Sequence, residues 1–257
     1  MTANEHDPVR AISKACGILD AMAEAKRPMA LGEIAAAVGY AKSTVYGLLT
    51  SMRLNGLIEQ DPETGRYALG VRLFEYGSAA SSVRNIVSLA QEPMKRLTAA
   101  TNESASLSML DRGETLVLSH AEADSSFHIV SEIGSHLPAF CTAQGKVLLS
   151  ELSDANVKRI LETHAQSYTP HTVTDADALL KELKAVREQG FAIENGEFKI
   201  GIRGVAAPIR DHHGSVRYAV GLLGMFRRVD SDEFRAATAE VLKIAAALSK
   251  ALGYREN

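Results

Sequence analysis

Residues 31–70 read LGEIAAAVGYAKSTVYGLLTSMRLNGLIEQDPETGRYALG, and the fold of the first part of the chain follows from this stretch. Apolar residues recur with a period near 3.6 in two segments on either side of Gly39, a residue that readily ends a helix. Ser43 and Thr44 are suited to cap the second segment. The pattern therefore predicts two short helices joined by a turn.

A two-stranded hairpin is predicted after the second helix. Residues 57–60 and 66–69 flank residues 61–65, which contain both a proline and a glycine and favour a tight turn. Helix, turn, helix and hairpin is the order of a winged helix-turn-helix, a module that places its second helix in the major groove of DNA. DNA binding is therefore the first functional hypothesis.

Candidate DNA contacts lie on the second helix and the hairpin. The N-terminal end of this helix enters the groove in that geometry, and lysine and hydroxyl side chains suit phosphates and base edges. Arg66 is expected at the tip of the hairpin. For any single residue a solvated surface is the alternative, but the ordered set favours DNA. The candidates are Lys42, Ser43, Thr44, Tyr46, Arg53 and Arg66.

Length and composition limit the other possibilities. A chain of 257 residues can form two domains, and its net charge of −3 means that DNA binding must rest on a local basic patch. Two cysteines cannot form a disulfide framework, and no segment has the apolar length of a membrane span or the pattern of a signal peptide. We therefore expect a cytoplasmic protein with no membrane partner.

The rest of the chain predicts a helical linker and then a mixed α/β domain. Residues 71–89 have a helical apolar pattern that would provide a linker and a dimer contact, and Pro93 is expected to open a further helix. The expected domains are residues 1–70, 71–92 and 93–257. The domain is expected to contain a hairpin at 102–124, strands at 127–133, 202–210 and 216–225, and helices at 142–149, 154–164, 175–189 and 232–252.

The helix that starts near Thr142 is a candidate ligand site. The first backbone N–H groups of a helix have no partner within it, so this turn can hold an anionic group. A plain N-cap by Thr142 is the alternative, and the two are compatible.

Short motifs from about residue 9 to residue 254 resemble those of the IclR family of bacterial transcriptional regulators. The resemblance implies an α+β protein with an N-terminal winged helix-turn-helix, a linker helix and a C-terminal GAF-like α/β ligand-binding domain. It also implies homodimers or homotetramers that bind operators with symmetric half-sites. The motifs are STV at 43–45, GLIE at 56–59, TGRYALG at 64–70, TAQGK at 142–146, and GFA at 190–192 followed by Glu197 and Gly201.

The resemblance also implies a site for a small organic acid, held by backbone amides at the start of the Gly–Lys helix. An acidic residue and side chains of the last two strands complete it. The matching positions are Ala143, Gln144, Glu194, Gly204, Gly221 and Leu223. The last three lack the hydroxyl or thiol that is usual there, so we expect a larger or more apolar effector, such as an aromatic acid. Gly47 stands where the family usually has an arginine in the reading helix.

Metal and cofactor sites find little support in the sequence. His120, His128 and His136 are evenly spaced, and residues 212–213 are both histidine, but no compact pair has a further ligand close by. We therefore expect neither a metal nor another cofactor.

An enzyme would need a nucleophile with a base, or two carboxylates in a cleft. Cys141 with a histidine, and Glu194 with Glu197, are the candidates, and neither has an identifiable third group. We expect a ligand-responsive DNA-binding transcriptional regulator that is not an enzyme. The alternatives are a sensor that acts on a protein partner and a small-molecule enzyme.

Overall fold

The computed structural model describes residues 9–79, 81–123 and 132–255, and the chain divides into two compact units, Met1–Ser81 and Ser82–Asn257. Most of the strand expected at residues 127–133 lies outside the described residues, and so does His128. Glu132 and Ile133 are described and belong to no strand. The domain boundaries expected from the sequence, after residues 70 and 92, stay a prediction.

The first unit is a winged helix-turn-helix, as predicted. Its elements are α1 (Arg10–Ala25), α2 (Leu31–Val38), α3 (Lys42–Leu54), β1 (Ile58–Gln60), β2 (Tyr67–Leu69) and α4 (Arg72–Ala79). The two strands are antiparallel, with Ile58 opposite Leu69, and Met29 forms a bridge to Tyr67. Buried apolar residues of α1, α2, α3 and both strands form one core.

The start of α3 differs from the prediction, because Ser43 and Thr44 do not cap it. The N-cap is Ala41, whose side chain makes no capping bond, and both hydroxyl residues lie exposed in the first turn. Val45 and Leu49 are fully buried and hold the opposite face of α3 against the core. The tertiary contacts of these two residues therefore set the orientation of the helix.

Asp61 holds the turn of the wing. Its Oδ1 accepts hydrogen bonds from the amides of Thr64 and Glu63 at 2.9 and 2.8 Å, and these bonds lower the pKa of the Asp61 carboxyl. Gly65 closes the turn with a φ of +66°, a conformation that favours glycine. The predicted turn is thus confirmed, with an aspartate as its main hydrogen-bond acceptor.

Within the described residues of the second unit, six strands form one antiparallel sheet in the order β5-β4-β3-β8-β7-β6. Helices α5 and α9 pack on one face of the sheet, and α6 and α8 pack on the other. The α+β class is confirmed. The elements are α5 (Ser81–Thr101), β3 (Ser104–Asp111), β4 (Glu114–Ala121), β5 (His136–Pro138), a 3-10 turn (Ala139–Cys141), α6 (Ala143–Leu149), α7 (Asp154–His164), α8 (Ala176–Gln189), β6 (Ala192–Asn195), β7 (Arg203–Arg210), β8 (Val216–Gly224) and α9 (Asp232–Ala251).

Pro93 does not open a new helix, in contrast to the prediction. It lies inside α5, which continues to Thr101. Ile86, Ala90, Met94 and Leu97 form one buried stripe on both sides of the proline. Burial of this stripe against the sheet offsets the single backbone hydrogen bond that a proline removes from a helix.

Gly70 closes the wing where no side chain fits. Its N–H donates to the Leu57 oxygen at 2.9 Å, and a Cβ there would clash with the carbonyl oxygen of Gly56. We predict that Gly70→Ala lowers the free energy of unfolding by about 2 kcal/mol, as overpacking does. Thermal unfolding followed by circular dichroism measures this as a lower midpoint.

Gly47→Ala is the matched control for this substitution. Gly47 is exposed within α3, and no atom lies within 4 Å of the place of its missing Cβ. Alanine favours a helix over glycine by about 1 kcal/mol, so the midpoint should rise. If Gly70→Ala unfolds at the same temperature as the unchanged protein, the close approach of the Gly56 carbonyl to Gly70 is contradicted.

Candidate DNA-binding surface and effector cavity

The exposed side of α3 carries five of the six candidate DNA contacts, four of them in its N-terminal half and Arg53 near its end. Lys42, Ser43, Thr44 and Tyr46 are all exposed, because the buried residues of α3 lie on its other side. The Lys42 side chain extends along α2, with its Nζ 3.8 Å from the place that a Cβ of Gly32 would take. One cation and two hydroxyl groups therefore lie at the N-terminal end of α3, the end that enters the major groove in this module.

Arg53 and Arg66 hold the wing in place. Arg53 Nη1 donates to Gln60 Oε1 at 3.0 Å and so links α3 to β1. Arg66 is not at the hairpin tip, in contrast to the prediction. Its Nη1 donates to Glu33 Oε2 at 2.9 Å and to the Pro28 oxygen at 3.2 Å, because Arg66 directly follows the turn and faces α2.

Glu33 is the centre of this anchor. Its carboxylate accepts from the Ala30 amide at 2.7 Å and from Arg27 at 3.0 Å, besides Arg66. The Ala30 hydrogen bond, followed by the bond from Arg27, lowers the pKa of Glu33 to about 2. The carboxylate therefore stays ionised at neutral pH, and the wing remains tied to the start of α2.

A cavity of about 280 Å3 opens beside the start of α6. It gathers four of the six predicted effector contacts, namely Ala143, Gln144, Glu194 and Leu223. The rest of its lining is Ser106, Glu132, Ser135, Leu137, Thr142, Phe198, Lys199, Ile202 and Leu222. Ser106 was not predicted from the sequence. Its two apolar neighbours in β3 face the core, and this alternation is a signal that places the Ser106 side chain on the other face of the sheet.

The start of α6 presents backbone amides. Thr142 is the N-cap residue of α6, as predicted, but its hydroxyl donates to the Pro138 oxygen at 3.0 Å and makes no capping bond. Among the described residues, no acceptor binds the amides of Ala143 and Gln144. The Gln144 side chain donates to the Ser106 oxygen at 2.8 Å, which fixes α6 against β3.

Gly145 and Lys146 determine how α6 sits. A Cβ on Gly145 would clash with the backbone of Ala139, so only glycine permits this approach. Lys146 is fully buried, and its Nζ donates to Glu182 at 2.7 Å, to Glu197 at 2.6 Å and to the Ile193 oxygen at 3.2 Å. This lysine therefore connects α6 to α8, to β6 and to the segment after β6.

Glu194 is a buried carboxyl of the cavity, with only 2% of its surface exposed. Its Oε1 accepts from the Phe198 amide at 3.3 Å. Burial raises the pKa of Glu194 to about 7, against the opposing effect of the Phe198 amide. Glu194 thus changes charge near neutral pH.

Gly204 and Gly221 do not line the cavity, in contrast to the prediction. A Cβ at Gly221 would lie 2.7 Å from the Val205 oxygen and 2.9 Å from the Ala206 Cβ, so strand β7 already fills that place. A Cβ at Gly204 would lie 3.0 Å from Leu223 Cδ1. Neither glycine provides the extra room that we expected, and the apolar wall comes from leucine, isoleucine and phenylalanine side chains instead.

Two of the candidate catalytic residues, Cys141 and Glu197, are buried within the fold. Cys141 is fully buried, and burial raises the pKa of its thiol far above its usual value. Glu197 is held by Lys146. In the described residues no group of three or more histidine, cysteine, aspartate or glutamate side chains could hold a metal. No helix in the same residues is long and apolar enough to cross a membrane.

Two larger cavities lie elsewhere in the second unit. One of about 700 Å3 lies between β7 and the end of α9, and one of about 450 Å3 lies between α7 and the turn at Gly113. Both are more open than the cavity beside α6. Among the described residues that line these three cavities, unpaired amides and a buried carboxyl converge at the smaller one, beside α6.

Models of known families match both units. Residues 78–250 match the family described as "Bacterial transcriptional regulator IclR C-terminal", and residues 11–62 match the "IclR helix-turn-helix domain". The HTH-type transcriptional regulator XynR of Escherichia coli strain K12 is 33% identical over 247 residues, which cover 96% of this chain and 98% of that protein.

Solved structures agree with these matches. An IclR transcriptional regulator from Alicyclobacillus acidocaldarius superimposes with a TM-score of 0.82 at 25% identity, over 96% of this chain and 100% of that one. An IclR homolog from Microbacterium hydrocarbonoxydans, complexed with 4-hydroxybenzoate, has a TM-score of 0.82 at 21% identity, over 94% and 98% of the two chains. The second likeness concerns the fold alone.

The buried lysine generates a prediction about stability. Lys146→Met should lower the free energy of unfolding by about 3–5 kcal/mol, because it leaves Glu197 buried without its cation. Denaturant titration measures the loss. Lys158→Met is the control, since Lys158 pairs with Asp177 at 3.1 Å on the exposed surface, where a pair contributes about 0–1 kcal/mol. Equal losses for the two variants would contradict the structural role of Lys146.

Proposed function

Because this chain belongs to the IclR family of bacterial transcriptional regulators, we propose that α3 and the wing bind operator DNA and that the cavity beside α6 binds the effector. The protein is a ligand-responsive DNA-binding transcriptional regulator. The observation that carries the finer proposal is the convergence of unpaired α6 amides and the buried Glu194 on one enclosed cavity.

The proposed DNA contacts divide into two kinds. Lys42, Ser43, Thr44 and Tyr46 would contact phosphates or bases, because α3 exposes them at its N-terminal end. Arg53 and Arg66 would contact the DNA backbone while they hold the wing. Gly47 leaves the middle of this surface without a long side chain.

The proposed effector is a small organic acid. Unpaired amides favour a carboxylate, and Leu137, Ile202 and Leu222 favour an apolar body. A cavity of 280 Å3 has the volume of about nine water molecules at roughly 30 Å3 each, which suits a single ring or a short chain. The aromatic acid bound by the Microbacterium homolog supports the choice of aromatic acids as the first ligands to test.

The proposed mechanism is a shift between two arrangements of subunits in a homodimer or homotetramer. The effector would favour one arrangement of the subunits, and α4 and α5 would transmit this change to the winged helices. The distance between two winged helices would then match or fail to match the spacing of the symmetric half-sites. Exposed apolar side chains in and before α4 support a contact with a second copy. Phe74 is 76% exposed, and Val71 and Tyr76 are also exposed.

Two alternatives remain distinguishable from this proposal. A sensor that acts on a protein partner would use the winged helix as a protein-binding surface and show no preference for operator DNA. An enzyme would turn over a bound acid, whereas a regulator releases it unchanged. The family relationship of the whole chain favours the regulator.

The surface of α3 generates a prediction about DNA affinity. Lys42→Ala should weaken binding to DNA from the protein's own upstream region, and the slope of log K against log salt should fall by about 1 for one lost phosphate contact. Gly47→Arg should strengthen binding, because nothing lies within 4 Å of the missing Cβ and an arginine there would point outward. Fluorescence anisotropy in a salt series measures both.

Lys158→Ala is the control for charge, since it removes one cation from α7. It should leave the salt slope unchanged. The affinity for upstream DNA is compared with that for a random duplex, with and without a panel of organic acids. Equal affinities under both conditions would contradict operator binding and favour the protein-partner alternative.

Glu194 generates a prediction about pH. Burial raises its pKa to about 7, Glu197 also raises it, and Lys146 and Lys199 lower it. The carboxyl is therefore neutral below pH 7 and repels an acid above it. Affinity for the tightest-binding of propionate, butyrate and benzoate should rise about tenfold from pH 8 to pH 6 by calorimetry, since these acids stay ionised throughout.

Glu194→Gln removes the titrating group and should abolish this dependence. Lys199→Met should retain it, because Lys199 only modifies the pKa of Glu194. A pH dependence in Glu194→Gln as steep as in the unchanged protein would assign it to another group, of which Glu197 is a candidate because burial also raises its pKa.

A further inference from the structure

We propose that the cavity of about 700 Å3 between β7 and the end of α9 binds a second ligand, a phosphate monoester with an apolar body. This cavity and the cavity beside α6 share no lining residue, so the inference does not depend on the proposed effector site. It adds a site for a doubly charged anion to a protein whose proposed effector is a small organic acid.

The charged side chains that line this cavity are all basic. They are Arg210, Lys250 and Arg255, and no aspartate or glutamate belongs to the described lining. The chain as a whole has a net charge of −3, so a cavity with cations alone departs from the average composition. Cations around a concave surface attract an anion more strongly than cations on a flat one, because the low-dielectric walls focus the field.

The end of α9 brings these cations together. The Arg210 amide donates to Ser249 Oγ at 3.0 Å, which places the end of β7 beside the last turns of α9. Gly253 then reverses the chain with a φ of +88°, and its amide donates to the Lys250 oxygen at 3.0 Å. The Tyr254 amide donates to the Ser249 oxygen at 3.0 Å, so the residues after α9 return to the cavity.

The three cations keep donors for the oxygens of an anion. Lys250 and Arg255 are exposed, and within the described residues neither forms an ion pair or a side-chain hydrogen bond. Arg210 Nη1 donates to the Gly214 oxygen at 3.1 Å, which leaves most of the five N–H donors of this guanidinium. Its Nη2 lies 3.7 Å from Glu151 Oε1, which is too far for a hydrogen bond.

The backbone at the end of α9 does not require these cations. Basic side chains near a helix C-terminus often bond to the free carbonyls of the last turn. In this helix the amides of Leu252, Gly253 and Tyr254 already donate to the carbonyls of residues 248–250. Lys250 and Arg255 are therefore not needed to satisfy those oxygens.

The number of cations favours a doubly charged ligand. Three cations and one nearby carboxylate, that of Glu151, leave two positive charges uncompensated. A phosphate monoester carries a charge of about −1.5 to −2 at pH 7, and its oxygens match the fork of an arginine. Leu242, Pro208 and the Tyr254 ring offer contacts for an apolar body. The volume lies within the range of about 300–1,000 Å3 that is typical of small-molecule sites.

Calorimetry with matched anions tests the class of ligand. Phenyl phosphate is compared at pH 7 with benzenesulfonate, which has the same ring and three oxygens but one negative charge, and with phthalate, which has two carboxylates. We expect phenyl phosphate to bind about tenfold more tightly than either, because it makes one more charged contact or a better-matched one. Its affinity should fall as the salt concentration rises, since salt screens exposed charges.

Variants assign the binding to this cavity. Lys250→Met and Arg255→Met should each weaken the binding of phenyl phosphate about tenfold, because each removes a charged donor from the lining. Both side chains are exposed, so both variants should fold. Lys243→Met is the matched control on α9, since Lys243 is exposed, pairs with Glu240 at 3.4 Å and does not line the cavity. It should keep the full affinity.

Lys199→Met separates this site from the cavity beside α6. Lys199 is an exposed cation in the lining of that other cavity, and its removal should leave the affinity for phenyl phosphate unchanged. A loss of affinity in Lys199→Met without a loss in Lys250→Met would place the anion beside α6 and overturn the inference.

The remaining outcomes also decide the inference. Phthalate that binds as tightly as phenyl phosphate would overturn the phosphate class, and benzenesulfonate that does so would overturn the need for two charges. No detectable binding of phenyl phosphate, or full affinity in both Lys250→Met and Arg255→Met, would overturn the site itself. None of these results would change the expected binding of operator DNA or of an organic acid, so the proposed function is tested separately.

Discussion

The buried ammonium of Lys146 organises the second unit. Removing a lysine ammonium from water is costly unless every donor finds a partner, so Lys146 requires Glu182, Glu197 and the Ile193 oxygen at fixed positions. Those partners lie on α8, on β6 and just after it. The position of α6, and with it the amides that face the cavity, depends on this set of bonds.

The first unit depends on a comparable anchor at its surface. Glu33 at the start of α2 binds Arg66 beside the wing and Arg27 before α2. These exposed pairs contribute little stability individually, but they fix the geometry of the wing relative to α2. The buried side of α3 fixes the reading helix. The surface that would contact DNA is therefore held from behind by the buried side of α3 and by Glu33, and Arg66 both holds the wing and is a proposed DNA contact.

The cavity beside α6 shows why the positions expected from the family and the positions that line the cavity differ. Two of the six expected contacts are glycines whose side-chain space is occupied by the neighbouring strand or by Leu223. The lining of the cavity instead includes Ser106 and Ser135, which come from distant parts of the sequence. Ser106 belongs to β3, the neighbour of β8, and only the order of strands in the sheet brings it next to α6.

The sequence by itself determined the winged helix-turn-helix, the α+β class and the family, because apolar periodicity, turn residues and short motifs are local properties. The family resemblance also predicted that Ala143, Gln144, Glu194 and Leu223 lie close together, and all four line the cavity beside α6. Only the tertiary structure decided that Pro93 stays inside α5, that Arg66 bonds to Glu33, and that strand β7 fills the space beside Gly221. These outcomes depend on contacts between residues far apart in sequence, whose energies exceed local preferences.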